Sequence, residues 1–194
     1  MKIRIKQIEH ERTEDAPFVG ALVSSIGCKI GCKGCFNRHL KKLPTQEFEA
    51  EEIIEEILSN RLNEGIILGG LEWSEQTEEL LEIVDKASKA NLKIIIYTGK
   101  ELLDFYDGIG REMYLKVTGN KEIEDSTEFG FFKGFFQTLG ASALDYHTPN
   151  GYFLKCGGYD REKLHPTEDY SKFGVNLVST NQKLFEIRGE YNDH

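Results

Sequence analysis

The sequence predicts an α/β protein built on a mostly parallel sheet, and three observations carry that prediction. Over the first two thirds of the chain, short apolar runs alternate with longer amphipathic stretches. The runs are rich in branched aliphatic residues, while the stretches between them repeat apolar residues at helical spacing. Each run also ends in an unusual loop: first cysteines, then Gly69-Gly70, then Thr98-Gly99. Strands buried on both faces and joined through helices form βαβ units and a parallel sheet.

The elements follow in chain order. Met1 to Lys6 alternates charged and aliphatic residues like a strand. Phe18 to Ser25 is short, apolar and rich in small residues, and it runs directly into the cysteines. A helix is expected from about Thr45 to Asn60. Thr45 or a neighbour would cap it, acidic residues would fill its first turns, and Ile53, Ile54, Ile57 and Leu58 would form its apolar face. Ile66 to Leu68 reads as a buried strand ending at Gly69-Gly70. A second helix is expected from about Ser74 to Ala90, with Leu80, Leu81, Ile83, Val84 and Ala87 inward. Leu92 to Tyr97 is a further buried strand. The pattern blurs from about Leu103 to Asn150, a possible inserted segment in which Phe131 to Leu144 could be helical. Tyr152 to Cys156 and Lys183 to Ile187 read as later strands. With no repeat and no linker, residues 1–194 read as a single domain.

Composition narrows the function classes. The chain has 194 residues, 39% of them hydrophobic, enough for a core. A formal charge of -9 opposes binding to phosphate backbones, so no nucleic-acid partner is expected. No run approaches the ~20 apolar residues that span a bilayer, so no membrane partner is expected either. The N-terminal run does not resemble a signal peptide, and close-set thiols suit a reducing compartment, so a cytoplasmic location is expected.

Chemistry concentrates in Gly27-Cys28-Lys29-Ile30-Gly31-Cys32-Lys33-Gly34-Cys35-Phe36-Asn37. Cys28, Cys32 and Cys35 are too close together for a useful disulfide framework. As thiolates, each can hold one iron of a 4Fe-4S cubane, and glycines at 27, 31 and 34 let the backbone wrap closely around it. Three ligands on four irons leave one iron open to a chelating molecule, and the amino and carboxylate groups of S-adenosylmethionine suit it. Two other readings stay open on spacing alone. Cys156 could complete an ordinary electron-transfer cluster, and Cys156 or His39 could complete a structural zinc site. Alone, Cys156 reads as a core residue on a strand. His10, His39, His147, His165 and His194 show no paired spacing.

The Cys-x3-Cys-x2-Cys spacing at the end of a first strand resembles the radical S-adenosylmethionine superfamily. Cys32 to Asn37 resembles the form found in anaerobic ribonucleoside-triphosphate reductase-activating proteins, with Gly34 before the third cysteine and the aromatic Phe36 after it. Gly69-Gly70-Leu71-Glu72 resembles the glycine-glycine-acid motif that holds the methionine amino group. Here Leu71 intervenes before the acid, and Trp73 stands where the family has proline. Tyr97-Thr98-Gly99 resembles the Thr-Gly after the third strand. Gly158-Tyr159-Asp160 and Ser179-Thr180-Asn181-Gln182-Lys183 resemble later segments of these activating proteins.

The resemblance implies a small open (partial) βα barrel that binds a 4Fe-4S cluster on the three cysteines. It implies S-adenosylmethionine held at Gly34, Phe36, Gly69, Gly70, Glu72, Thr98 and Asn181, with Phe36 near the adenine. The implied reaction is reductive cleavage to a 5′-deoxyadenosyl radical, which needs no acid–base residue. The implied partners are a glycyl-radical protein such as anaerobic ribonucleotide reductase, and an electron donor such as flavodoxin or ferredoxin. Radical chemistry on another small-molecule or peptide substrate is the alternative within the same class.

Overall fold

The structure is a computed structural model that describes residues 1–105, 109, 152–166 and 171–187. Its strands are β1 (Lys2–Ile5), β2 (Gln7–Arg12), β3 (Gly20–Ser24), β4 (Gln46–Glu49), β5 (Gly65–Gly69), β6 (Lys93–Tyr97), β7 (Tyr152–Cys156), β8 (Ser171–Lys172), β9 (Val175–Asn176) and β10 (Lys183–Ile187). The helices are α1 (Ala50–Ser59), α2 (Thr77–Lys89) and α3 (Leu102–Phe105). Six strands form one sheet in the order β10-β7-β6-β5-β3-β2. Its four middle strands run parallel, and the outer pairs β2–β3 and β7–β10 are antiparallel. The mostly parallel sheet is therefore as expected. Among the described residues β2 and β10 remain as two edges, and the sheet does not close into a barrel.

The middle strands are apolar because both their faces are covered. One face carries Ile66, Leu68, Ile94, Ile96 and Leu154 into a core with Ile53 and Ile57 of α1 and Leu80 and Ile83 of α2. The other carries Ile67, Ile95 and Phe153 into a smaller core with Phe18, Val175, Leu177 and Leu184. Gly65 starts β5 because the chain is too crowded there for a side chain. A Cβ would collide with the Lys93 carbonyl and lie 2.5 Å from the Phe18 ring.

Three expectations about the helices need correction. The helix does not begin near Thr45: residues Gln46–Glu49 form β4, antiparallel to β1, and α1 starts at Ala50. Glu49 caps it instead, in a reciprocal capping box with Glu52. Thr45 accepts a hydrogen bond from Lys6 Nζ at 3.1 Å. Leu58 is 49% exposed and lies outside the apolar face that Ile53, Ile54 and Ile57 form. The second helix divides into a 3-10 turn at Trp73–Glu75 and α2. Most of the segment from Leu103 to Asn150, with the expected helix at Phe131 to Leu144, lies outside the described residues, as do His147 and His194. No helix among the described residues is long and apolar enough to cross a membrane.

Candidate metal centre

Strand register brings the unusual loops together. Ser24 of β3 stands opposite Gly69 of β5, Leu68 opposite Ile96 of β6, and Tyr97 opposite Lys155 of β7. The carboxyl ends of four parallel strands are thus level, and the loops leaving them meet in one place, where ligands bind in such sheets. They enclose a cleft of about 400 Å³. Its walls include Cys28, Cys32 and Cys35 after β3; Gly70 and Glu72 after β5; Thr98 and Gly99 after β6; and Gly157, Gly158 and Tyr159 after β7.

The cysteine loop is held by hydrogen bonds that side chains and backbone groups make to its main chain, and not by its own secondary structure. Gln76 Oε1 accepts from Ile26 N at 2.7 Å, and Gly27 O accepts from Glu72 N at 2.9 Å. Glu75 Oε1 accepts from Lys29 N at 2.5 Å, and Lys41 Nζ donates to Cys28 O at 2.6 Å. The Cys35 amide bonds to Cys32 O at 3.2 Å and tightens the turn. Gly31 and Gly34 both have positive φ, 74° and 84°, conformations that glycine adopts without strain. All three thiols are free and partly buried. Burial raises the Cys28 thiol pKa, the Ile30 and Gly31 amides lower it, and the nearby Glu72 charge raises it again.

The fit to an iron–sulfur cluster rests on this donor set. Among the described residues, no group of three or more His, Cys, Asp or Glu is arranged to hold a metal ion. A cubane takes each thiolate on a separate iron, and Cys28, Cys32 and Cys35 all line this one cleft. Cys156 does not join them. The neighbouring Lys155 lines the cleft and successive strand residues face opposite ways, so Cys156 enters the helix-side core, 2% exposed. Burial pushes its thiol pKa up to about 12. His39 Nδ1 lies 3.1 Å from Phe36 O in its own loop.

Of the residues expected around S-adenosylmethionine, Phe36, Gly70, Glu72 and Thr98 line the cleft, whereas Gly34, Gly69 and Asn181 stand behind its walls and not among its lining residues. Gly70 lines the cleft with φ 74°, and a Cβ there would collide with Ser24 Oγ. Gly69 ends β5 beneath it. Glu72, 2% exposed, is a tie between loops: it accepts from Thr98 Oγ1 at 2.9 Å, Gly99 N at 2.9 Å and Ser74 N at 3.2 Å. Phe36 stands at the mouth, 67% exposed, its ring centroid 4.8 Å from that of Tyr159. A Cβ on Gly34 would approach Tyr159 to 3.3 Å. Asn181 supports the loop after β7, donating to Gly158 O at 3.0 Å, while its buried Oδ1 has no partner.

Some cleft residues were not singled out from the sequence. Lys155 is 8% exposed, donates to Asn176 O at 2.9 Å, and lies 4.7 Å from the Tyr97 ring centroid. A cation inside the apolar run Tyr152–Cys156 was the available signal. Arg38 and Lys41 also line the cleft; their signal was a run of cations without acids.

Three thiols on one glycine-rich loop, at the carboxyl ends of parallel strands, define an iron–sulfur protein of α/β type. The model of the 4Fe-4S single cluster domain matches residues 19–120, more than half of the chain, and the chain belongs to that family. No curated protein matches it.

Proposed function

We propose that this protein is a radical S-adenosylmethionine enzyme that installs a glycyl radical on a partner such as anaerobic ribonucleotide reductase. The observation that carries the reading is the shared cleft. Cys28, Cys32 and Cys35 face the loops after β5, β6 and β7 across a space of about 400 Å³, enough for a cluster with a small ligand beside it. With Cys156 in the core, three cysteines leave one iron without a protein thiolate. When bound, the cluster would supply the electron that cleaves the sulfonium to methionine and a 5′-deoxyadenosyl radical.

The chain's own residues would bind, orient and exclude water. Gly70 lets the backbone approach closely, and Glu72 holds the loop after β6 against the loop after β5. Phe36 and Tyr159 offer a ring pair at the mouth for a flat base. Asn181 Oδ1 is a buried acceptor beside the loop after β7. A partial, curled form of the sheet would leave the cleft open to a protein loop.

A second reading keeps the radical chemistry and changes the acceptor to an anionic small molecule. The buried cation Lys155 on the cleft wall favours it.

The test is anaerobic reconstitution with iron and sulfide, reduction, addition of S-adenosylmethionine and assay of 5′-deoxyadenosine. The nucleoside should form with the native chain and be lost in Cys28→Ala. Its absence from a chain that carries about four irons, the count of one cubane, would reject radical chemistry. A glycyl-radical EPR signal on added reductase would favour the activase over the small-molecule reading.

A further inference from the structure

Lys155 is a cation in an apolar setting. It lies within β7, in register with Tyr97 of β6, so both belong to the strands and not to the loops that carry the unusual residues. Both line the cleft, and Lys155 is 8% exposed. The core on Tyr97's side of the sheet is made of residues such as Phe18, Ile67, Ile95 and Phe153. A buried ammonium normally has a carboxylate beside it. Lys155 forms no ion pair among the described residues: its contacts are Asn176 O at 2.9 Å and the Tyr97 ring at 4.7 Å.

The groups around it do not supply the missing charge. Asp15 acts on Lys155 through space only. Its carboxylate is held by Arg12, 2.7 Å from Nε and 2.6 Å from Nη2. The Tyr97 hydroxyl donates to Asp15 O at 2.6 Å, so its proton is used. An ammonium has three protons, and Asn176 O takes one of them. Burial pulls the Lys155 pKa down to about 8, which still leaves the group charged at pH 7.

We propose that Lys155 anchors the carboxylate of a small organic acid on the strand wall of the cleft. Charge and shape select this class. The other cleft cations belong to the cysteine side: Lys41 is bound to Cys28 O, and Arg38 lies on the exposed turn after Cys35. A single ammonium suits a monoanion, whereas a phosphate dianion takes several cations or a nest of amides. The Asp15 charge nearby opposes a second negative charge on the ligand. Ile30, Leu71 and Val178 also line the cleft and offer an apolar surface to the body of the acid. The proposal rests on the cleft and not on radical chemistry, so binding without reductant tests it alone. S-adenosylmethionine also carries a carboxylate, and the test separates the two sources.

The experiment uses the reconstituted holoprotein, anaerobic and without reductant at pH 7, with isovalerate and 3-phenylpropionate as probes at constant ionic strength. At about 20 mM, at least one acid should raise the melting temperature of the native chain by about 2 °C or more. Its neutral amide and inorganic phosphate should not. Lys155→Met should abolish the shift and Lys155→Arg should keep part of it. Both variants should bind S-adenosylmethionine in equilibrium dialysis as the native chain does. No shift with either acid, an equal shift with the amide or phosphate, or a shift that survives in Lys155→Met would overturn the proposal. So would a loss of about ten-fold in S-adenosylmethionine affinity in Lys155→Met, which would assign the ammonium to that molecule's own carboxylate. Failure to form 5′-deoxyadenosine would instead reject the radical reading and leave this site standing.

Discussion

Lys155 is the side chain whose behaviour depends most on its surroundings. Burial pulls its pKa down from 10.5 to about 8, and the nearby Asp15 charge offsets part of that. A native pKa below the unfolded value means that the unfolded chain binds more protons between those two values. Stability contributed at this position therefore rises from about pH 8 to about pH 10.5, and the full penalty applies below pH 8. The shift corresponds to roughly 3 kcal/mol. Lys155→Met should be more stable than the native chain at pH 7 by up to about that amount, less what the hydrogen bond to Asn176 and the stacking on Tyr97 contribute. Its advantage should shrink as pH rises to about 10.5. Urea denaturation at pH 7 and pH 10 would measure this, and an advantage that did not change with pH would contradict it. The three thiols of the cleft were legible at this scale, because Cys28, Cys32 and Cys35 share one local loop. Glu72 was less so. Its sequence context reads as a ligand contact, whereas its partners on Thr98 and Gly99 come from a loop twenty-six positions away.

At the level of elements, the helices show where local reading succeeds. Ile53, Ile54 and Ile57, and Leu80, Ile83, Val84 and Ala87, repeat at helical spacing and are buried as expected. The start of α1 was misplaced because Gln46–Glu49 has a partner, β1, that no local window contains. Strand pairing overrides the helical propensity of those residues, and the cap moves to Glu49. Glu49→Ala would remove the side-chain acceptor for the N3 amide and the ion pair with the N-terminal amine, while keeping the backbone amide that donates to Glu52. It should cost about 1 kcal/mol in thermal or urea unfolding, whereas Thr45→Ala should leave α1 intact in circular dichroism. A larger loss of helix from Thr45→Ala would restore the earlier start. β2 and the β8–β9 hairpin gave no apolar signal: β2 is QIEHER, mostly half-buried, and β8 is exposed.

For the whole molecule, the metal centre should act as a cross-link between loops. Three ligands from one loop lie near each other even in an unfolded chain, so binding to that loop alone would stabilise little. The cleft walls from β5, β6 and β7 add contacts that exist in the folded state alone, such as Gly158, where a Cβ would lie 3.0 Å from Cys32 Sγ. Reconstitution should therefore raise the melting temperature by at least about 5 °C, a gain of a few kcal/mol for a chain of this size. Iron chelation should reverse the rise, and Cys28→Ala should lack it. An unchanged melting temperature with a full complement of iron would place the cluster on the loop alone.

The sequence by itself determined the class of sheet and the three thiols, because both depend on neighbours within a few positions: the period of apolar residues, the spacing of cysteines and the glycines between them. Tertiary structure alone decided which residues share the cleft. Strand register levelled the ends of β3, β5, β6 and β7, strand alternation sent Lys155 to the cleft and Cys156 to the core, and packing joined Phe36 to Tyr159. These outcomes depend on contacts between segments far apart in the chain, and no local pattern of residues contains them.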